Sequence, residues 1–104
     1  MAISHLYGLI GYPLGHSFSK AYFTEKFEKL GLSDTHAYEQ FPIPSIDEFK
    51  AILVANPNLK GLNVTIPYKQ VVMPLLDEID LAAAQIGAVN TIKIAADGYT
   101  RGYN

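Results

Sequence analysis

Leu6-Tyr7-Gly8-Leu9-Ile10 runs straight into Gly11-Tyr12-Pro13-Leu14-Gly15, and this junction decides the class of fold. A short apolar run bounded by a cluster of glycine and proline reads as a buried strand entering a tight loop. Beyond the loop the period changes, because Phe23, Phe27 and Leu30 recur at spacings of four and three, one face of a helix. Ser19 can cap that helix, Phe18 and Phe23 suit a hydrophobic staple, and Gly31 stops it. Strand, loop and helix in that order open a parallel α/β arrangement.

The rest of the chain continues the alternation. His36 to Phe41 reads as a second strand, cut off by Pro42-Ile43-Pro44, where two residues lack an amide hydrogen. Ser45 and Glu48 have capping-box spacing, and Ile46, Phe49, Ile52 and Leu53 form the apolar face of a helix ending near Asn56-Pro57. Leu62 to Ile66 reads as a third strand, with Pro67 opening a helix after it. Asp80 caps an alanine-rich helix, Leu81 to Ile86, that closes at Gly87. Ala88 to Ala95 and Tyr99 to Tyr103 read as a hairpin turning at Asp97-Gly98. The expected architecture is a three-layer α/β sandwich whose mostly parallel sheet carries one antiparallel hairpin strand.

Composition limits what such a fold can do. The chain has 104 residues, 49% hydrophobic and 17% charged, enough for one packed domain and too few for a two-domain enzyme. Its formal charge of -2, with no basic run, excludes nucleic acid and anionic membrane as partners. There is no cysteine, hence no disulfide, thiolate zinc site or cysteine nucleophile. The amino terminus lacks the pattern of a leader, and no apolar run approaches the ~20 residues of a membrane span. A soluble, cytoplasmic protein is expected.

In parallel sheets the loops that leave the carboxyl ends of the strands line the ligand crevice. Three such segments carry polar residues. Ser17 and Ser19, two apart on extended backbone, share one side and can donate jointly to a carboxylate or to hydroxyls; Ser19 can equally serve only as a helix cap. His16 beside them reads first as a structural hydrogen bonder. Lys69, in Asn63-Val64-Thr65-Ile66-Pro67-Tyr68-Lys69, falls in the first turn of the helix expected after Pro67. There the helix dipole disfavours a cation and lowers its pKa toward use in proton transfer, although a plain solvated lysine fits the pattern too. Thr65 shares a strand face with Asn63 and either reaches the crevice or helps cap the helix. Asn90, in Gly87-Ala88-Val89-Asn90-Thr91, lies on the face of Ala88, Ile92 and Ile94, where a buried amide needs partners from a ligand or from neighbouring backbone.

Other chemistries are unsupported. Gly8, Gly11 and Gly15 do not make the G-x-G-x-x-G phosphate fingerprint. His5, His16 and His36 lack mutual metal-ligand spacing, and no carboxylate directly follows the first or third strand as a phosphoacceptor would.

Together the segments resemble the substrate-binding domain of shikimate dehydrogenases. Gly11 to Ser19 resembles that family's G-x-P-x-x-H-S-x-S loop, and Asn63 to Lys69 its N-V-T-x-P-[FY]-K segment. Gly87-Ala88-Val89-Asn90-Thr91 matches its G-A-V-N-T strand, and Gly102-Tyr103-Asn104 the start of its G-x-N-T-D motif. The resemblance implies that Ser17 and Ser19 bind the substrate carboxylate and that Thr65 and Asn90 hold ring hydroxyls. It implies that Lys69 transfers a proton at the reacting carbonyl oxygen of 3-dehydroshikimate while NADPH delivers hydride to the carbon. Lys20 departs from the pattern, since many members have proline there, and serine at position 19 is similar to shikimate-specific members more than to those that also take quinate. The motif aspartate and the NADP-binding domain lie beyond Asn104, so residues 1–104 are expected to be the substrate domain of a longer enzyme, inactive alone. A non-catalytic module for a small hydroxy-carboxylate and a fragment that pairs as a homodimer are the competing expectations.

Overall fold

The structure is a computed structural model, and it describes residues 2–15 and 18–104. Six strands form one sheet in the order β2-β1-β3-β5-β6-β4 among the described residues. They are β1 (His5–Gly11), β2 (His36–Pro42), β3 (Leu59–Val64), β4 (Glu78–Ile79), β5 (Thr91–Ile94) and β6 (Thr100–Tyr103). β1 pairs in parallel with β2 and β3, and β4 with β6, whereas β5 runs antiparallel to both its neighbours. The single reversed strand is the one the hairpin at Asp97-Gly98 creates, with Gly98 at φ 89°. The helices are α1 (Phe18–Lys29), α2 (Phe49–Ala55) and α3 (Leu81–Ile86).

Strand alternation sorts the side chains into two layers. Leu6, Ile10, Leu59, Leu62, Val64, Ile92 and Ile94 face α2 and α3, and with Phe49, Ile52, Ala83 and Val89 they make the main core. Phe49 is fully enclosed, which contributes about 1.5–3 kcal/mol relative to exposure. On the opposite face α1 brings Phe23 and Phe27 against Tyr7, His36 and Tyr38, ring on ring.

Local signals placed the caps well in part. Asp80 accepts from the Ala82 amide and Gly87, at φ 80°, closes α3; Gly31, at φ 71°, ends the first helix. Ser45 does cap, but it accepts from the Asp47 amide at 3.1 Å and opens a 3-10 turn (Ile46–Glu48) before α2, so no capping box forms. Ser19 is not a cap, because α1 already begins at Phe18; the cap position and His16 and Ser17 lie outside the described residues. Phe18 is 83% exposed and lies against Tyr22, not Phe23, so the staple is absent. Leu30, expected on the buried stripe, is exposed beyond the end of α1.

The helix expected after Pro67 does not form. Residues 65–76 are turns, tied by the bonds Tyr68 to Thr65, Val72 to Tyr68 and Met73 to Gln70, and end in a 3-10 turn (Met73–Leu75). Pro74 offers no amide to extend a helical ladder from this segment. With that helix goes the dipole argument for Lys69. β3 starts earlier than expected because Leu59 pairs beside Leu6 of β1, and Ile66 is exposed beyond its end. β5 starts late, since residues 89 and 90 spend their backbone amides on Lys69 and Tyr103.

Candidate active site

The carboxyl ends of β1 and β3 are laced together. The Thr65 amide donates to the Ile10 carbonyl at 2.9 Å and the Tyr12 amide to the Ile66 carbonyl at 3.1 Å. Gly11 permits this closeness: a Cβ there would lie 2.5 Å from Thr65 Cγ2 and 2.9 Å from Leu14 Cδ2. The glycine therefore packs two loops against each other.

Two further bonds bring the remaining motifs to the same end of the sheet. The Val89 amide donates to the Lys69 carbonyl at 2.8 Å, and the Val64 amide to the Asn90 carbonyl at 2.9 Å. Thr65, Lys69 and Asn90 are thereby neighbours, although up to 25 residues separate them in the chain. The loop bearing Lys69 is anchored from below by Tyr68, a buried side chain whose hydroxyl donates to the Ile43 carbonyl. Burial raises the Tyr68 hydroxyl pKa, with Glu48 and Tyr12 adding to it, so it stays a donor. Lys69 itself is exposed, and its backbone is held by the bond from the Val89 amide. Asn90 is half-buried in a bend before β5, and its Oδ1 accepts from the Thr91 hydroxyl at 3.1 Å.

Ser19 lies in the first turn of α1. It is half-buried on the inward stripe of the helix with Phe23 and Phe27, the stripe that packs on Tyr38 of β2. Tyr38 donates to Asn63 Oδ1 at 2.9 Å, and Asn63 lies on β3, two positions before Thr65, which follows the strand. Gln40 donates to the Gly15 carbonyl at 3.0 Å, fastening the loop before α1 to β2, and Lys20 of α1 pairs with Glu39 of β2 at 3.1 Å. Tyr38 and Asn63 were not singled out by pattern. Asn63 had a signal, its alternation with Thr65, but a tyrosine in a half-apolar strand reads as core.

An apolar groove of about 370 Å³ opens elsewhere, between α1 and the sheet, lined by Tyr7, Phe23, Phe27, Tyr38, Leu62 and Ile92. It contains none of Ser19, Thr65, Lys69 or Asn90. Its lining also includes Lys26, Lys60, Asn63, Thr91 and Lys93, so the strand ends are preferred for the motif residues they gather and not for want of donors in the groove. Among the described residues no group of three or more histidine, aspartate or glutamate side chains is placed to hold a metal ion. No helix among them is long and apolar enough to cross a membrane.

Comparison with known proteins gives the family. The family model described as shikimate dehydrogenase substrate binding domain matches residues 9–92. A shikimate dehydrogenase (NADP(+)) of Halothermothrix orenii is 44% identical over 100 residues, covering 93% of this chain and 33% of its own. The chain thus spans about a third of the curated relatives it matches. A shikimate 5-dehydrogenase from Listeria monocytogenes, solved in complex with shikimate and NAD, is similar with TM-score 0.81 and 37% identity over 95% of this chain and 34% of its own. A quinate dehydrogenase from Corynebacterium glutamicum, in complex with NAD, superposes with TM-score 0.81 and 38% identity over 99% of this chain and 38% of its own. With its family model covering most of the described strands and helices, and its motifs gathered at one end of the sheet, the chain belongs to the shikimate dehydrogenase family, as a substrate-binding domain.

Proposed function

We propose that residues 1–104 are the substrate-binding part of an NADP-dependent enzyme that reduces 3-dehydroshikimate to shikimate. The observation that carries this reading is the meeting of Thr65, Lys69 and Asn90, from separate loops, through the bonds Val89 to Lys69 and Val64 to Asn90. Thr65 and Asn90 supply short neutral groups that both donate and accept, as ring hydroxyls require. Ser19, with Ser17, supplies hydroxyl donors to the carboxylate. Lys69 is the one cation among these residues, and its exposed ammonium is the group suited to hold or pass a proton at the carbonyl oxygen. Hydride delivery is the chemistry that NADP supplies, and these residues do not house it; a further domain of the parent enzyme would. A cytoplasmic setting goes with that role.

Replacing the matching third of the Halothermothrix orenii relative with this chain tests the assignment. The chimera should oxidise shikimate with NADP, and Lys69→Ala in it should slow turnover by about 10²–10⁴-fold, the range for a lost proton-transfer group. A folded chimera that turns over equally with alanine at position 69 would remove Lys69 from the chemistry. Quinate in parallel decides the alternative specificity, which the likeness to a quinate dehydrogenase keeps in play.

A further inference from the structure

No residue of α1 is fully buried. The helix lies over β1 and β2, and its aromatic stripe, Phe23 and Phe27, stays half-buried. Beside it β3 presents Gly61, paired in register with Lys93 of β5, and α2 and α3 lie on the other face of the sheet. The hollow left there is the apolar groove of about 370 Å³. Its wall is a row of rings in mutual contact, Tyr7 with Phe27 at 6.1 Å, Phe27 with Phe23 at 6.2 Å and Phe23 with Tyr38 at 5.0 Å between centroids. A flat ring entering the groove meets this wall at the same spacings, offset or edge-on. Gly61 opens the floor, since the atoms nearest to a Cβ there, the Ile92 carbonyl oxygen and Tyr7 Cδ1, are both 3.4 Å away.

The charges that line the groove are of one sign. Lys26, Lys60 and Lys93 line it, and no carboxylate does. Lys26 holds its ammonium over the Tyr22 ring, 5.8 Å from the centroid. Lys60 is the extra residue of β3 at the register shift beside Leu6 and Tyr7, next to Gly61 in the chain, while Lys93 faces Gly61 from β5. Among the described residues neither Lys60 nor Lys93 is in an ion pair. Two uncompensated ammonium groups on neighbouring strands repel each other, and an anion between them turns that repulsion into attraction.

We propose that this groove is a second binding site of the domain, taking a planar aromatic monocarboxylate with its ring against Tyr7, Phe23 and Phe27 and its carboxylate between Lys60 and Lys93. The site uses none of Ser19, Thr65, Lys69 or Asn90 and is independent of the substrate assigned to them.

The test is an amide-shift titration of the isotope-labelled chain with 2-naphthoate, with neutral 2-naphthamide in parallel. 2-Naphthoate should shift Gly8, Gly61 and Lys93 saturably while Lys69 stays still. It should bind about 5-fold more tightly than the amide, the equivalent of one good exposed ion pair, and added salt should remove that advantage. Lys60→Gln combined with Lys93→Gln should bring 2-naphthoate down to the affinity of the amide and leave the amide unchanged. Gly61→Val, whose side chain suits a strand and fills the floor, should abolish binding of both. If that variant does not fold, the glutamine pair decides, because Lys93 is exposed and Lys60 half-buried. Equal affinity for acid and amide, an undiminished affinity in the glutamine pair, or unchanged binding to folded Gly61→Val would overturn the proposal. So would shifts centred on Lys69, or no saturable shift at millimolar 2-naphthoate.

Discussion

His5 and His36 stack face to face, with ring centroids 4.3 Å apart and planes 3° from parallel, at the first register pair of β1 and β2. Each Nδ1 is 2.8 Å from the hydroxyl of the residue before it, Ser4 or Thr35. Burial lowers the His36 pKa from 6.5, and the nearby His5 lowers it further. The folded state therefore binds fewer protons than the unfolded state in this window. Stability held above about pH 6.5 should be lost as the pH falls through the lowered folded value. Thermal unfolding from pH 7.5 down to 5 should show that loss, and His36→Gln should flatten it. An equally steep profile in His36→Gln would assign the dependence to another group.

Asp77 should give a second, more acidic limb. Its carboxylate accepts from the Thr100 amide at 2.8 Å and the Thr100 hydroxyl at 3.0 Å, and the Asp77 amide donates back to that hydroxyl. The bonds from Thr100 backbone and side chain hold the Asp77 pKa low against an opposing desolvation. Its contribution is present above the ordinary carboxylate range and disappears as the pH falls through the lowered value. Thr100→Val removes the buried hydroxyl from this clamp and should cost about 1–3 kcal/mol in urea unfolding. No measurable cost would mean that the clamp forms without holding β6.

Gly11→Ala should damage the site and the fold together. The added methyl would meet Thr65 Cγ2 at 2.5 Å, Leu14 Cδ2 at 2.9 Å and the Ile66 carbonyl oxygen at 3.1 Å. Overpacking of this kind costs about 1–3 kcal/mol. Because the strain falls on Thr65, the response of its amide to shikimate should weaken in the fraction that remains folded. A variant as stable as the parent, with an unchanged Thr65 signal, would show that the loops have room to part.

Lys69→Ala should separate function from stability. The Lys69 carbonyl, not its side chain, bonds Val89, and the exposed side chain adds no described packing. Unfolding free energy should change by less than about 0.5 kcal/mol, while the chimera loses turnover. A large loss of stability would make Lys69 structural.

What could be read in advance was what the chain states locally. Asp80 and Gly87 bracket α3, Gly31 ends α1, and Asp97-Gly98 turns the hairpin, because each needs only a few adjacent residues to fix its backbone. The helix expected after Pro67 does not form because its start signal is local too, whereas the segment closes into turns such as Tyr68 to Thr65 and Met73 to Gln70. β4 escaped notice because two residues, Glu78 and Ile79, become a strand only by pairing with Arg101 and Gly102. The site divides in the same way. Thr65, Lys69 and Asn90 stand out within their own motifs, but the bonds that gather them join separate loops. Tyr38 carries no local mark at all, since the partner its hydroxyl finds, Asn63, lies on another strand.

The most direct test of the central claim is an amide-shift titration of the chain with shikimate. A preformed half-site predicts saturable shifts confined to Ser19, Thr65, Lys69 and Asn90 and their bonded neighbours. Shifts in the groove between α1 and the sheet, or no saturable shift at millimolar ligand, would contradict the claim that this domain carries the substrate site on its own.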